Sequence, residues 1–169
     1  PLKLDVFSDA GFAGHGTRSQ TGIVICLGGS VVLWRSARQT TSATSTGEAE
    51  LSAAALAVQC GLGLRQLLEE WLQTPLPINL YLDNKSAITV ASSGGSWRSR
   101  YYSVRGHLLH ELILRDQLAL YHVSTENELA DTCTKLVDQA TLCRMRAAMR
   151  EPVVPQPSDP EASTSTPTS

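Results

Sequence analysis

The order of hydrophobic patterns along the chain restricts the possible folds more than any other feature of the sequence. The segment LKLDVFSDA predicts a strand, and two β-rich runs then flank Gly28 and Gly29 in IVICLGGSVVLWRS, which is a strong signal for an antiparallel hairpin. There follow a long helix over residues 46–72, a strand in LPINLYLDN, two helices, a strand in LALYHVS and a final helical region after it. An antiparallel beginning followed by parallel crossovers predicts an α/β fold built on one mixed sheet.

The segment STGEAELSAAALA places two glutamates at the start of the long helix. Ser45 and Glu48 have the spacing of a capping box, in which the serine caps the helix and the glutamate reaches back to its backbone N–H. Glu50 lies about 200° around the helix from Glu48, on the side that continues through small alanines. This spacing gives Glu48 a structural role and leaves Glu50 available for chemistry. Gly61 and Gly63 each weaken the helix by roughly 1 kcal/mol relative to Ala, which leaves that part open to a local irregularity.

Three aspartates occupy the ends of other predicted elements. Asp9 ends the first strand, Asp83 ends the strand INLYLD, and Asp131 lies in the opening turns of the final helical region. Each has a structural interpretation of its own, as a turn residue, a helix N-cap and a solvated helix position. Together with Glu50 they would repel one another at one sheet edge unless they were protonated or bound to cations. Hard divalent ions, above all Mg²⁺, match such a set of oxygen ligands.

The formal charge of −2 is distributed unevenly along the 169 residues. Residues 151–169 are almost wholly Pro, Ser, Thr and acidic residues, which predicts a disordered tail after a folded domain of residues 1–150. Three of the 16 acidic residues lie in the tail, which leaves 13 against all 14 Lys and Arg in the domain, so a nucleic-acid partner is not excluded. Between residues 84 and 110 there is no acid, and this stretch is open to two interpretations, a nucleic-acid-binding stripe or a solvated helix face. Its basic residues are Lys85, Arg98, Arg100 and Arg105.

The remaining features favour an intracellular segment of a longer polypeptide. The four cysteines have no C-x-x-C spacing, which is typical of free thiols in a reducing compartment. The sequence shows neither a signal peptide nor a long apolar span, so we expect no membrane partner, and it begins at Pro1 rather than Met, as a piece of a polyprotein would. The three tryptophans, Trp34, Trp71 and Trp97, are interpreted as packing residues, with stacking on nucleic acid beside Arg98 as the alternative for Trp97.

Four motifs together resemble the ribonuclease H domain of copia-type LTR retrotransposon polyproteins. They are FSDAGFAG, TGIVICLGGSVVLWRSARQTTSATSTGEAELSAAALAV, LYLDNKSAI and HVSTENELADTCTK. They occur in order and with family-like spacing over about residues 5–136. The resemblance implies a ribonuclease H-like α/β fold, with a five-stranded mixed sheet flanked by helices on both faces.

The resemblance also implies an activity and its residues. The family hydrolyses the RNA strand of RNA–DNA hybrids, giving a 5′-phosphate and a 3′-hydroxyl, with two Mg²⁺ ions or Mn²⁺ as a substitute. By position in the motifs, the catalytic and metal-binding residues are Asp9, Glu50, Asp83 and Asp131. Phosphate contacts are expected from Asn84, Arg98, Arg100 and Arg105.

The implied partners are an RNA–DNA hybrid and the reverse transcriptase domain upstream in the same polyprotein. The implied location is the cytoplasm, in a virus-like particle with access to the nucleus, and not the secretory pathway. Two other functions stay open. One is a module of the same fold that binds hybrid or supports the reverse transcriptase with weak or no catalysis. The other is a transposase or integrase core, which would have a glutamate on a late helix where this chain has Asp131.

Overall fold

The computed structural model of the chain describes residues 2–14, 16–93 and 100–148, except for the side chains of 100–103, 145, 146 and 148. Its centre is a five-stranded sheet in the order β3-β2-β1-β4-β5. β1 pairs antiparallel with β2, and β2 with β3, whereas β4 pairs parallel with both β1 and β5. The mixed sheet and its antiparallel beginning are therefore as predicted. The strands are β1 (Leu4–Gly11), β2 (Gln20–Leu27), β3 (Ser30–Arg38), β4 (Ile78–Leu82) and β5 (Leu118–His122).

Helices lie on both faces of this sheet. α1 packs across β1, β2 and β4, and α2 and α3 pack beside it, while a short 3-10 helix packs on the opposite face. The helices are α1 (Thr46–Leu72), α2 (Lys85–Ser93), α3 (Arg100–Leu114) and α4 (Gln139–Ala148), with a first 3-10 helix (Thr125–Asn127) and a second 3-10 helix (Leu129–Cys133) between β5 and α4.

The final helical region differs from its prediction, because two 3-10 helices and a separate α4 replace a single α-helix. The backbone N–H of Asp131 donates to the carbonyl of Glu128, three residues back, rather than four. Ala130 is fully buried against the outer face of the sheet, which is the face opposite α1. The Sγ of Cys133 lies 3.9 Å from the carbonyl oxygen of Ile23. These contacts with β2 outweigh the local helix propensity of the segment.

α1 begins at the predicted residue, capped by Ser45, whose Oγ accepts from the N–H of Glu48 at 3.2 Å. It continues without interruption through Gly61, where a Cβ would lie 3.2 Å from the Cγ2 of Val6, so the glycine allows close packing on β1. The local irregularity that the two glycines left open does not occur in this described helix. An 18-residue stretch of α1 has a mean hydropathy of 1.3, enough by length and composition to cross a membrane. Ten α1 residues are buried, and its packing across the sheet accounts for that apolar character.

The alternation of side chains along β1 separates two cores. Leu4 and Val6 point toward α1, whereas Phe7 points to the outer face. There the ring of Tyr81 stacks between Phe7, at 4.8 Å, and Tyr121, at 5.3 Å between centroids. Both faces of β1 are thus buried, and β1 is the central strand of the sheet.

Two of the three tryptophans lie exposed on the periphery of the fold. Trp34 and Trp71 are 67% and 78% exposed, so the interpretation of these two as packing residues is wrong. Trp34 lies on the edge strand β3, and Trp71 lies in the last turn of α1. Trp97 and the predicted tail of residues 151–169 lie outside the described residues.

Candidate metal centre

The three predicted aspartates converge at the carboxyl ends of β1 and β4. Asp9 lies near the end of β1, Asp83 follows β4 directly, and Asp131 lies in the second 3-10 helix. Each aspartate offers a carboxylate oxygen within 4.8 Å of the oxygens offered by the other two. Three acids separated by 74 and 48 positions in sequence therefore share one site.

Two threonine hydroxyls orient two of these carboxylates. The hydroxyl of Thr134 donates a hydrogen bond to Oδ2 of Asp9, and the hydroxyl of Thr125 donates to Oδ2 of Asp83 at 3.1 Å. Both threonines belong to the segment after β5. This segment therefore supplies Asp131 and also fixes the other two aspartates.

The close approach of that segment to the sheet depends on Gly22. Gly22 pairs with Asp9 across the β1–β2 ladder. A Cβ at this position would lie 2.5 Å from the carbonyl oxygen of Ala130 and 2.8 Å from the Cγ2 of Thr134. Since real Cβ atoms do not approach backbone that closely, a glycine is required here for Asp131 to reach Asp9.

Glu50 is a fourth carboxylate beside the three aspartates. Its side chain is buried, and burial together with the negative charges of Asp9 and Asp83 raises its pKa to about 8. The charge of Lys135 and a hydrogen bond from the backbone of Ala10 act in the opposite direction. Burial also raises the pKa of Asp9, where the hydrogen bond from Thr134 and the charge of Lys135 oppose the shift and the charges of Asp131 and Asp83 add to it.

Glu48 has a structural role, as predicted, and its carboxylate contacts Thr44, one residue before the helix cap Ser45. Its Oε2 accepts from the N–H and the hydroxyl of Thr44, both at 2.7 Å. This carboxylate therefore holds the loop before α1, and Glu50 is the glutamate that faces the aspartates.

Sequence reasoning missed a fifth acid, Glu128. It is 4% exposed, and its Oε1 accepts from the N–H of Ala130 at 3.0 Å, which caps the second 3-10 helix. Burial raises the pKa of Glu128 well above its usual range; the Ala130 hydrogen bond opposes this, and the charges of Asp83 and the other aspartates add to it. Among the described residues, its Oε2 has no hydrogen-bond partner. The sequence signal was its place three residues before Asp131, but its burial is not visible in the sequence.

Lys135 was also missed, although its i, i+4 spacing from Asp131 was visible. Its Nζ lies 2.6 Å from Oδ1 of Asp131 and 3.8 Å from Oδ2 of Asp9. Burial disfavours the ammonium, but the hydrogen bond to Asp131 and the carboxylate charges outweigh it and raise the pKa of Lys135. One cation of the chain itself therefore touches the cluster.

The donor set fits a divalent metal ion. Three carboxylates with oxygens within 4.8 Å of one another, and Glu50 beside them, are the hard oxygen ligands that Mg²⁺ prefers. Burial is the main cause of the upward pKa shifts of Asp9 and Glu50; the charges of the neighbouring aspartates add to these shifts, and the charge of Lys135 opposes them. The cluster can therefore hold a metal ion.

The predicted phosphate contacts lie partly outside the described structure. Arg98 is outside it, and so is the side chain of Arg100. Asn84 is half-buried, and its Oδ1 accepts from the N–H of Ala87 at 3.1 Å, at the start of α2. Arg105 lies on α3, with Nη2 3.5 Å from the hydroxyl of Thr41.

A second basic surface, which we call the arginine pocket, lies at the end of the sheet that carries Asp9. Its lining residues are Ala13, Gly16, Thr17, Arg18 and Arg38. The register places it there, because the end of β1 pairs with the start of β2, which in turn pairs with the end of β3. Both arginines are exposed, and neither forms an ion pair with a described residue. The sequence analysis did not single out these two arginines.

Comparison with known proteins identifies relatives of the chain. No protein-family model matches it. Transposon Ty1-NL2 and Ty1-DR6 Gag-Pol polyproteins of Saccharomyces cerevisiae are each 29% identical over 136 residues, which cover 79% of this chain and 8% of the relative. The chain thus corresponds to a small part of these relatives. The predicted resemblance to copia-type polyproteins is confirmed.

Comparison of structures identifies the fold. LC11-RNase H1, isolated from compost by a metagenomic approach, superposes with a TM-score of 0.61 at 16% identity, covering 78% of this chain and 91% of the other. The N-terminal RNase H domain of rv2228c from Mycobacterium tuberculosis gives 0.60 at 13%, covering 89% and 98%. LC11-RNase H1 in complex with an RNA/DNA hybrid gives 0.53 at 18%, covering 78% and 93%. The predicted fold is therefore confirmed.

Proposed function

We propose that the chain is a metal-dependent endonuclease that hydrolyses the RNA strand of RNA–DNA hybrids during reverse transcription of a retroelement. The support is that the chain is a homologue of the copia-type Ty1 Gag-Pol polyproteins and has the ribonuclease H fold. The products are a 5′-phosphate and a 3′-hydroxyl. The observation that carries the proposal is the convergence of Asp9, Asp83 and Asp131, from three separate elements, to within 4.8 Å.

The proposed cofactor is Mg²⁺, with Mn²⁺ as a substitute, held by Asp9, Glu50, Asp83 and Asp131. Divalent ions bound there would supply an activated water and would stabilise the charge that develops on the phosphate and on the leaving oxygen. The chain's own contribution is to hold the ligands in position. Threonine hydroxyls restrict the rotation of Asp9 and Asp83, and Glu50 supplies a buried carboxylate whose charge interacts with those of both aspartates.

The proposed substrate is bound through its phosphates. The arginine pocket offers two exposed guanidinium groups at the same end of the sheet as the carboxylates. Arg105 and Asn84, on the α2–α3 side, offer further contacts, and so do Arg98 and Arg100, as proposed from the sequence. Such contacts give binding that is sensitive to salt and tolerant of sequence. The solved complex of LC11-RNase H1 with an RNA/DNA hybrid supports a hybrid as the substrate class.

The proposed partner within the polypeptide is a reverse transcriptase domain upstream of this one. The support is that the Ty1 relatives are Gag-Pol polyproteins of which the chain matches 8% of the length.

The test is cleavage of a hybrid whose RNA strand carries the label, with Mg²⁺ or Mn²⁺, beside RNA–RNA and DNA–DNA duplexes of the same sequence. We expect cutting of the RNA strand of the hybrid alone, lost with EDTA and lost in Asp83→Asn. Glu70→Gln is the matched control, because Glu70 is exposed in the last turns of α1 and loses the same charge. Binding of hybrid by the native chain without any cutting would favour the alternative, a module that grips hybrid or supports the reverse transcriptase.

A further inference from the structure

The ammonium group of Lys135 lies against the same carboxylates that would bind a divalent cation. Its Nζ is 2.6 Å from Oδ1 of Asp131, a short charge-assisted hydrogen bond, and 3.8 Å from Oδ2 of Asp9. These are two of the three aspartates whose oxygens lie within 4.8 Å of one another. The ammonium therefore neutralises part of the charge that a metal ion would neutralise.

The backbone around Lys135 is held by hydrogen bonds, whereas its side chain is open to solvent on one side. The N–H of Lys135 donates to the carbonyl of Asp131 at 3.0 Å, and the preceding Thr134 is tied to Asp9 through its hydroxyl. The Lys135 side chain is 48% exposed, and a lysine carries its charge on a flexible four-carbon stem. The ammonium can thus leave the cluster for solvent without disturbing the turn that carries Asp131.

The two cations cannot share the cluster without cost. An oxygen lone pair that accepts from the ammonium is not available to a metal ion, and two positive charges at the same carboxylates repel each other. We propose that Lys135 is a built-in competitor of the divalent metal ion: it holds Asp9 and Asp131 together in the metal-free protein and withdraws when the ion binds. The inference rests on the proposed function, because it concerns the same site, and it makes Lys135 a positioning residue.

The test is metal binding, measured without substrate. Titration calorimetry with Mn²⁺ and with Mg²⁺ would compare the native chain with Lys135→Met, which keeps the length of the side chain but removes its charge. We expect Lys135→Met to bind the ion about threefold or more tightly, since the ion no longer displaces an ammonium. Lys135→Arg, which keeps a cation at this position, should return the affinity toward the native value.

A control variant and a second measurement separate competition from a general charge effect. Arg115→Gln also removes one positive charge, but Arg115 follows α3 and pairs with the exposed Glu111, so its metal affinity should equal the native value. In EDTA, Lys135→Met should unfold at a lower temperature than the native chain, and saturating Mg²⁺ should raise its Tm by more than it raises the native Tm.

The outcomes distinguish this inference from the proposed function. Equal or weaker metal binding by Lys135→Met, with the native chain still binding metal, would overturn the competition and leave the metal site intact. Absence of metal binding in the native chain and in Lys135→Met would overturn both. Tighter binding in Lys135→Met and in Arg115→Gln alike would attribute the effect to net charge and would also overturn the competition.

Discussion

Gly22 lies directly opposite Asp9 in the β1–β2 ladder, and the missing side chain of Gly22 is the space into which the segment bearing Asp131 fits. The position of the Asp131 segment beside the buried Asp9 thus depends on the glycine that pairs with Asp9. A Cβ at residue 22 would meet the carbonyl of Ala130 at 2.5 Å, and that carbonyl belongs to backbone that cannot rotate away.

Gly22→Ala should therefore displace the second 3-10 helix from the sheet. We expect a loss of about 1–3 kcal/mol in the free energy of unfolding, as for an overpacked core, and a reduction of hybrid cleavage larger than that loss of stability accounts for. Urea denaturation and cleavage of the labelled hybrid measure the two effects.

Gly63→Ala is the matched control for this substitution. A Cβ at Gly63 meets nothing within 4 Å, and the residue lies inside α1. Its replacement should raise stability by about 0.5–1 kcal/mol through helix propensity and leave cleavage unchanged. A tolerated Gly22→Ala with full activity would contradict the role given to this contact.

Local signals in the sequence were sufficient for most of the fold. The limits of α1 were predicted because Ser45 provides a cap and an alanine-rich apolar face follows it. The hairpin of β2 and β3 was predicted from the Gly28-Gly29 pair between two β-rich runs, and both glycines adopt the positive φ that such a turn requires. The approach of Asp9 to Asp83 agrees with the rule that the carboxyl ends of parallel strands share one edge, whereas Asp131 lies in a 3-10 helix to which that rule does not apply.

The structural features that the sequence did not predict depend on contacts between segments that are distant in the sequence. The segment around Asp131 has helix-forming residues, but its packing on β2 makes it a 3-10 helix. Gly106 appears unfavourable inside a helix, yet a Cβ there would lie 3.0 Å from Val90, so it allows α3 to pack closely on α2. The burial of Glu128 likewise results from tertiary packing, which no spacing rule reveals.

The raised pKa of Glu50 predicts that the metal-free protein loses stability as pH rises. Glu50 titrates near 4.5 in the unfolded chain and at about 8 in the folded chain, so between these values the folded state binds more protons. Stability should therefore fall from about pH 4.5 to about pH 8, by up to about 1 kcal/mol per pH unit from this group. Urea denaturation in EDTA at a series of pH values measures the slope.

The variant Glu50→Gln separates the contribution of Glu50 to the pH dependence of stability from the contribution of Glu128, whose pKa is also raised. The stability of Glu50→Gln minus that of the native chain should increase steadily between pH 4.5 and pH 8 and then level off. A difference that does not vary with pH would show that Glu50 is not the titrating group. Saturating Mg²⁺ should flatten the native slope, since the ion favours the ionised carboxylate.

Glu128 is expected to act as the cap of the turn that carries Asp131. Glu128→Gln keeps an oxygen that can accept from the N–H of Ala130, so its stability and metal affinity should stay close to native. Glu128→Ala leaves that N–H without its acceptor and should cost about 1–2 kcal/mol of stability. It should also weaken Mn²⁺ binding in calorimetry, because Asp131 is no longer held. Equal metal affinity in both variants would limit Glu128 to a packing role.

Phosphate binding by the arginine pocket predicts a change in the salt dependence of hybrid binding. In an Asp83→Asn background, which prevents cleavage, Arg18→Gln and Arg38→Gln should each weaken hybrid binding and reduce the slope of log K against log salt by about 1. Fluorescence anisotropy between low and moderate salt measures this slope. Arg115→Gln, directly after α3, should leave the slope unchanged. The opposite outcome is that Arg105→Gln lowers the slope while both pocket variants keep the native slope. Because only residues that contact phosphates contribute to counterion release, this outcome would place the hybrid along α3, as the basic stretch of the sequence predicts.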